Sequence, residues 1–303
     1  MRATWFVFAV AVTVLLSACE KQQEDPKSGA RTSDASTRSG EVRESRNLSA
    51  ADIDTLVEWK HRYKVTRDEY WDDHGGVVGN EYYEVWYPPG KVTVSQGMYV
   101  LKKLTEGRPA ASRLLGELPA RKITVTCAWS IEGYKEQTGK EWWLYSKVGN
   151  DTIQFQPVRV LAQRGIIDQA LLREWYVWLL QQRGGKDAPQ WLIEGVASYA
   201  VGEDRVLTAN LGEFPEDPVV RTEQEIESAL EMKRDKKAFR IALFNALKMV
   251  QTLIERHGEQ KVVSMLGSIG EGRSRDDAAQ SAFGVSYDTL LTSALEWQEG
   301  FSR

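Results

Sequence analysis

The sequence predicts an α+β protein with its strands gathered early and its helices late, and three observations carry that reading. Short runs with strand-like alternation, "EYYEVWYPPG", "KITVTCAWS" and "DTIQFQP", all fall before residue 158. From there on the long segments place apolar residues at helical spacing. Gly-bearing turns such as "RHGEQ" and "GEGRS" interrupt that second half where helices must end. The expected architecture is an N-terminal mixed α/β part with a small sheet, followed by an all-helical C-terminal part. At 303 residues with 42% hydrophobic content, the chain is long enough to bury a core.

The elements follow in order. Met1-Arg2 gives a short basic start, "WFVFAVAVTVLL" an apolar run, and "LSAC" comes at once. This resembles a bacterial lipoprotein signal, a resemblance that implies cleavage before Cys19 and a lipid on Cys19. The run falls short of the ~20 residues that a membrane span needs. Residues 20–48 have no aromatic side chain, are rich in Ser, Arg, Glu and Asp, and read as a flexible tether. The expected divisions are therefore a signal over 1–18, a tether over 19–48, and one domain over 49–303 with sub-parts of about 49–157 and 158–303. Glu20 after the cysteine leans the sorting toward the outer membrane, with the domain facing the periplasm.

The domain should open with a helix in "LSAADIDTLVEWKHRY", where Ser49 is the N-cap and Asp52 the third helical residue. A strand in "EYYEVWYPPG" stops at Pro88-Pro89-Gly90. A helical stretch over about 93–116 is expected to break at Gly107-Arg108-Pro109, and then come the strand "KITVTCAWS", a long polar connection, and the strand "DTIQFQP". Helices are expected in "VRVLAQRGIIDQALLREWYVWLLQQRGG" and "QWLIEGVASYAVGE". Five more are expected at roughly 222–234, 238–256, 259–268, 274–283 and 286–297.

Composition excludes some functions. The net charge of −4, with no long Lys/Arg run, gives no footprint for nucleic acid. Cys127, the second of two cysteines, sits in a strand pattern and reads as a small buried apolar residue. That removes a cysteine nucleophile and Cys-zinc chemistry.

The stretch "LLREWYVWLL" places Arg173 and Glu174 in the first turn of an otherwise apolar helix, and "APQWLIEGVASYAVGE" places Glu194 in a second apolar helix. A charge buried there needs a partner. These segments, with "TGKEWWLYSKVGNDTIQF" before them and "YDTLLTSALEWQ" after, resemble the peptidase MA-like domain of gluzincin-type zinc metallopeptidases over roughly residues 80–300. In that family HExxH supplies two His ligands and a general base, and a later Glu supplies the third ligand.

Carried onto this chain, the resemblance puts the first ligand position at Arg173, the base at Glu174, the second ligand position at Val177 and the third ligand at Glu194. Arg and Val have no lone pair to give a metal. The sequence therefore predicts a degenerate motif with no metal, no cofactor and no catalysis. Arg173 should bridge to Glu194, and Glu174 remains as a vestigial base. His61, His74 and His257 are not spaced to replace the missing ligands, and His257 in "ERHGE" reads as part of a helix C-terminus. Trp175, Trp178 and Trp191 fit helical core positions, the other use being a platform for a peptide or peptidoglycan strand. The expected function is a membrane-anchored, inactive peptidase-like module that binds or scaffolds in the cell envelope. The alternatives are a hydrolase using Glu174 and Glu194 on peptide or glycan, or a purely structural envelope lipoprotein.

Overall fold

The structure, a computed structural model, describes residues 65–66, 76–88, 93–211 and 221–300. Cys19, the signal, the tether, the helix expected from Ser49, and both His61 and His74 lie outside the described residues.

Six strands form one mixed sheet in the order β1-β2-β3-β4-β6-β5. They are β1 (Val65–Thr66), β2 (Gly76–Gly79), β3 (Tyr83–Tyr87), β4 (Ile123–Cys127), β5 (Ser146–Val148) and β6 (Thr152–Phe155). β3, β4 and β6 run parallel, while the strands beyond them pair antiparallel. The register lines up Val78, Val85, Val125, Ile153 and Val148 across the sheet, a row of aliphatic side chains at facing positions. Along β4 the burial alternates, with Ile123, Val125 and Cys127 buried, as a period of two requires. Burial pushes the Cys127 thiol up to about 12, so it behaves as an inert apolar group.

The helices are α1 (Thr93–Leu115), α2 (Ile131–Thr138), α3 (Val158–Gln163), α4 (Ile167–Gly184), α5 (Gln190–Ala200) and α6 (Asp204–Leu211). After them come α7 (Glu223–Met232), α8 (Lys236–His257), α9 (Glu259–Gly270), α10 (Arg275–Phe283), α11 (Tyr287–Leu295) and a closing 3₁₀ turn, Glu296–Gly300. This is the α+β plan that the sequence predicts: a mixed sheet first, helices after. α8 is the axis of the second half and packs against α5, α6, α7, α9 and α11. Side-chain caps start α7, α8, α10 and α11, where Thr222, Asp235, Ser274 and Ser286 accept from the backbone three residues on, and Thr222 with Glu225 forms a full capping box.

Four expectations are corrected. α1 does not break at Gly107-Arg108-Pro109. It runs through Pro109 because Val100, Leu101 and Leu104 before it and Ala111, Leu114 and Leu115 after it are all buried. That burial outweighs the ~3 kcal/mol an interior proline costs. Gly107 serves close packing: a Cβ there would stand 2.7 Å from Leu172 and 3.0 Å from the Trp175 ring. The polar connection after β4 is not irregular, since it holds α2, capped by Ser130, and the edge strand β5. The stretch from 158 is two helices, so Arg173 and Glu174 sit well inside α4 and not in its first turn. Finally, α6 and the strands β1 and β2 were not expected; each is short, with too few residues to establish a period.

Candidate functional site

α4 and α5 pack side by side and bring Arg173 and Glu174 of one helix to Glu194 of the other. α5 is fixed at both its start and its middle. The Glu227 carboxylate accepts from Gln190 N at 3.0 Å and Trp191 N at 2.6 Å, capping the free amides of the first turn. At Gly195 a Cβ would lie 2.4 Å from the Ala246 carbonyl oxygen, so only glycine lets α5 approach α8 this closely. Glu194, one residue earlier, is thereby pressed into the interior at 1% exposure.

Arg173 occupies the centre. Its Nη2 donates to Glu194 Oε2 at 2.5 Å, its Nη1 to Glu174 Oε1 at 2.6 Å, and its Nε to Glu203 Oε2 at 2.9 Å. Each guanidinium nitrogen therefore has a carboxylate of its own. Two of the three remaining carboxylate oxygens are also taken, and Glu203 Oε2 has a second donor. Lys233 Nζ donates to Glu194 Oε1 at 2.6 Å, Ser146 Oγ to Glu174 Oε2 at 2.5 Å, and Ser198 Oγ shares Glu203 Oε2 at 2.7 Å. Arg173, Glu174, Glu194, Glu203 and Ser198 are all buried. The bridge expected between Arg173 and Glu194 is present, as one arm of a three-armed cluster.

The electrostatics follow from two cations held among three carboxylates. Burial opposes the Arg173 charge, but Glu194, Glu203 and Glu174 together keep its pKa well above the ordinary arginine value. Burial would raise Glu194, yet Lys233 and Arg173 hold its carboxyl down at about 2. Glu203 goes the other way: burial raises its pKa more than Arg173 and Ser198 lower it. Glu203 therefore takes a proton more readily than Glu194.

Val177, which the sequence resemblance marks as the second ligand position, is buried and offers only methyl groups. Trp175, Trp178 and Trp191 are each no more than 2% exposed, so they are core and not a ligand platform. Trp175 stands edge-on to Tyr83, Trp178 Nε1 donates to Asn150 O, and Trp191 Nε1 donates to Tyr287 Oη. Above the cluster lies a recess of about 40 Å³, lined in part by Trp143, Tyr145, Glu174, Glu203, Lys233 and Phe239. At about 10–15 Å³ per water, that is room for a few waters and not for a peptide. His257 closes α8, its ring edge-on to Phe283 at 5.2 Å and Gly258 N donating to Ile254 O beyond it.

The residues present do not fit a catalytic zinc ion, because Arg173 and Val177 have no donor lone pair and the carboxylate oxygens point at cations and hydroxyls. Among the described residues, no group of three or more His, Cys, Asp or Glu is arranged to hold a metal.

Sequence reasoning missed Glu203, Lys233, Ser146 and Ser198. Glu203 closes the quoted run "SYAVGE", and its place right after a helix was the available signal. Lys233 carries none in sequence. In the structure it stands out as the one non-glycine residue with positive φ, at 48°, among those described.

No protein-family model matches the chain, and no curated protein does. Two solved structures of the M1 zinc metallopeptidase from Deinococcus radiodurans, one of them a single-residue mutant, are similar to it at 15% identity and a TM-score of 0.40. Each match covers 78% of this chain and 52% of the other, so the chain spans about half the length of those peptidases.

Proposed function

We propose that this chain is a non-catalytic relative of gluzincin-type zinc metallopeptidases, lipid-anchored through Cys19 and acting as a binding or scaffolding module of the cell envelope. The observation that carries the reading is the guanidinium of Arg173 lying between the carboxylates at the general-base and third-ligand positions. A fixed organic cation there neutralises the same carboxylates that a metal would, without a coordinated water to activate. Glu194, held near 2 and doubly ion-paired, is ionised at neutral pH and is no general acid. The small recess likewise favours a structural centre over an active one. The anchor rests on residues 1–48, read as signal and tether, and the partner is an envelope protein, a peptide or peptidoglycan.

Two assays test this reading. The purified full chain is incubated with fluorogenic casein, with and without added zinc, and no hydrolysis above the level of an Arg173→Ala, Glu174→Gln, Glu194→Gln variant is expected. Cell fractionation of the wild type and Cys19→Ala is expected to move the protein from the membrane to the soluble fraction. Metal-dependent turnover abolished by Glu174→Gln, or a Cys19→Ala protein that stays in the membrane, contradicts the respective half.

A further inference from the structure

α4 carries a second arginine near its C-terminal end, in a setting the reverse of Arg173's. Arg183 lies half-buried in the last turn, where the helix's free carbonyls favour a cation. α9 fixes its place through three close approaches. A Cβ at Gly267 would stand 3.4 Å from both Nε and Nη2 of Arg183, one at Gly184 2.5 Å from Leu266, and one at Gly270 1.8 Å from the Arg183 carbonyl oxygen. Only glycine lets the two helices close this far, and the guanidinium comes to rest against α9 at Gly267, where no side chain intervenes. Held there, it has no partner. Its Nε is enclosed without a hydrogen bond, and among the described residues the Arg183 side chain makes no hydrogen bond or ion pair.

The same arginine lines a groove of about 410 Å³ between the end of α4 and the segment that joins α1 to β4, a volume within the range of small-molecule sites. Leu115, Leu118, Pro119 and Leu179 give the groove apolar walls. Gln182 lines it too, but its amide is engaged, Oε1 accepting from Arg121 Nη2 at 2.5 Å and Nε2 donating to Asn150 O at 3.3 Å. Glu117, exposed, lines the groove without pairing to Arg183. Among the described residues that line it, Arg183 is the one cation. An enclosed donor without a partner, on a cation partly stripped of water, is costly to leave unanswered, and a bound anion is what answers it.

We propose that this groove binds a small organic carboxylate with an apolar body, the carboxylate met by the Arg183 guanidinium and the body laid on Leu118, Pro119 and Leu179. A planar guanidinium matches a carboxylate two donors to two oxygens. The single lining cation, with Glu117 in the same groove, suits a monoanion and disfavours a dianion such as phosphate. The apolar walls reward an alkyl body that a bare inorganic anion lacks. A free alkyl acid and an apolar amino acid share this chemistry, and for the ammonium group of the second Glu117 is the counter-charge. The groove shares no lining residue with the recess at the Arg173 centre, so this reading and the non-catalytic one fail separately.

The test is equilibrium dialysis of the detergent-solubilised full chain, against a blank of detergent alone, with hexanoate, leucine, hexanol and inorganic phosphate as probes. Hexanoate or leucine is expected to bind, with hexanol and phosphate weaker. Arg183→Gln should weaken the carboxylate at least about tenfold, a loss of ~1.4 kcal/mol, and Arg183→Lys should weaken it less. Gly267→Ala, which crowds the guanidinium, should weaken it too. Lys135→Gln, an exposed charge on α2, should leave it unchanged. Thermal melts establish that each variant is folded. Binding that falls in Arg183→Gln supports the proposal, and the ranking of hexanoate against leucine, with and without Glu117→Gln, tells a free acid from an amino acid. Binding of neither, hexanol held as tightly as hexanoate, phosphate preferred to both, or equal binding by Arg183→Gln overturns it.

Discussion

Arg173 Nη2 and Glu194 Oε2 stand 2.5 Å apart in the interior, each residue no more than 2% exposed. In water such a pair contributes little, but here neither charge has solvent to fall back on. Arg173→Ala would leave Glu174, Glu194 and Glu203 facing one another without a guanidinium. The expected loss is about 3–5 kcal/mol, read from urea unfolding. Arg173→Met combined with Glu194→Gln and Glu203→Gln should cost clearly less, because one buried carboxylate, Glu174, is left without its guanidinium instead of three. Equal losses in the single and the triple variant would show that packing, and not charge, explains the site.

Stability should depend on pH in two opposed steps. Glu194 is depressed from 4.5 to about 2, so it contributes stability above pH 4.5 that is lost as pH falls through about 2. Glu203 is raised above 4.5, so its charge costs stability at higher pH and that cost is relieved as pH falls through its folded value toward 4.5. Urea midpoints for the wild type should therefore rise on mild acidification and fall below pH 4.5. Glu203→Gln should abolish the rise and keep the fall. A wild-type curve that declines steadily from neutral pH contradicts the assignment to Glu203.

Lys233 holds a left-handed backbone, φ 48° and ψ 36°, to bring its ammonium to Glu194. A side chain in that region costs about 1 kcal/mol relative to glycine. Lys233→Ala keeps the backbone cost and loses the ion pair, whereas Lys233→Gly loses the pair and sheds the cost. The Gly variant is expected to be the more stable of the two by about 1 kcal/mol in urea unfolding. The reverse order would mean that Lys233 is not strained.

Much of this architecture was legible in the residues. The strands around Val85, Val125 and Ile153 announced themselves by alternation, and α7 to α11 by helical spacing and Gly-bearing turns, all local signals. Arg173 and Glu194 were legible because a charge inside an apolar run demands a partner. Glu203 and Lys233 were not, since their roles depend on where α6 and the end of α7 come to rest against α4 and α5, which no local pattern encodes. α1 was misjudged for a related reason: Pro109 is a strong local breaker, and the burial that overrides it comes from the rest of the fold. The tryptophans were the easiest case, as helical spacing alone put Trp175 and Trp178 inside.

A non-catalytic centre requires that Arg173 take the place of a metal. The direct measurement is calorimetric titration of the full chain with zinc at neutral pH, wild type beside Arg173→His, Val177→His. The wild type should give no one-to-one binding, because no lone pair is offered at residues 173 and 177. The double variant should bind one zinc, and a further Glu194→Gln should abolish or weaken that binding. Stoichiometric zinc binding by the wild-type chain, lost on Glu194→Gln, would contradict the claim outright.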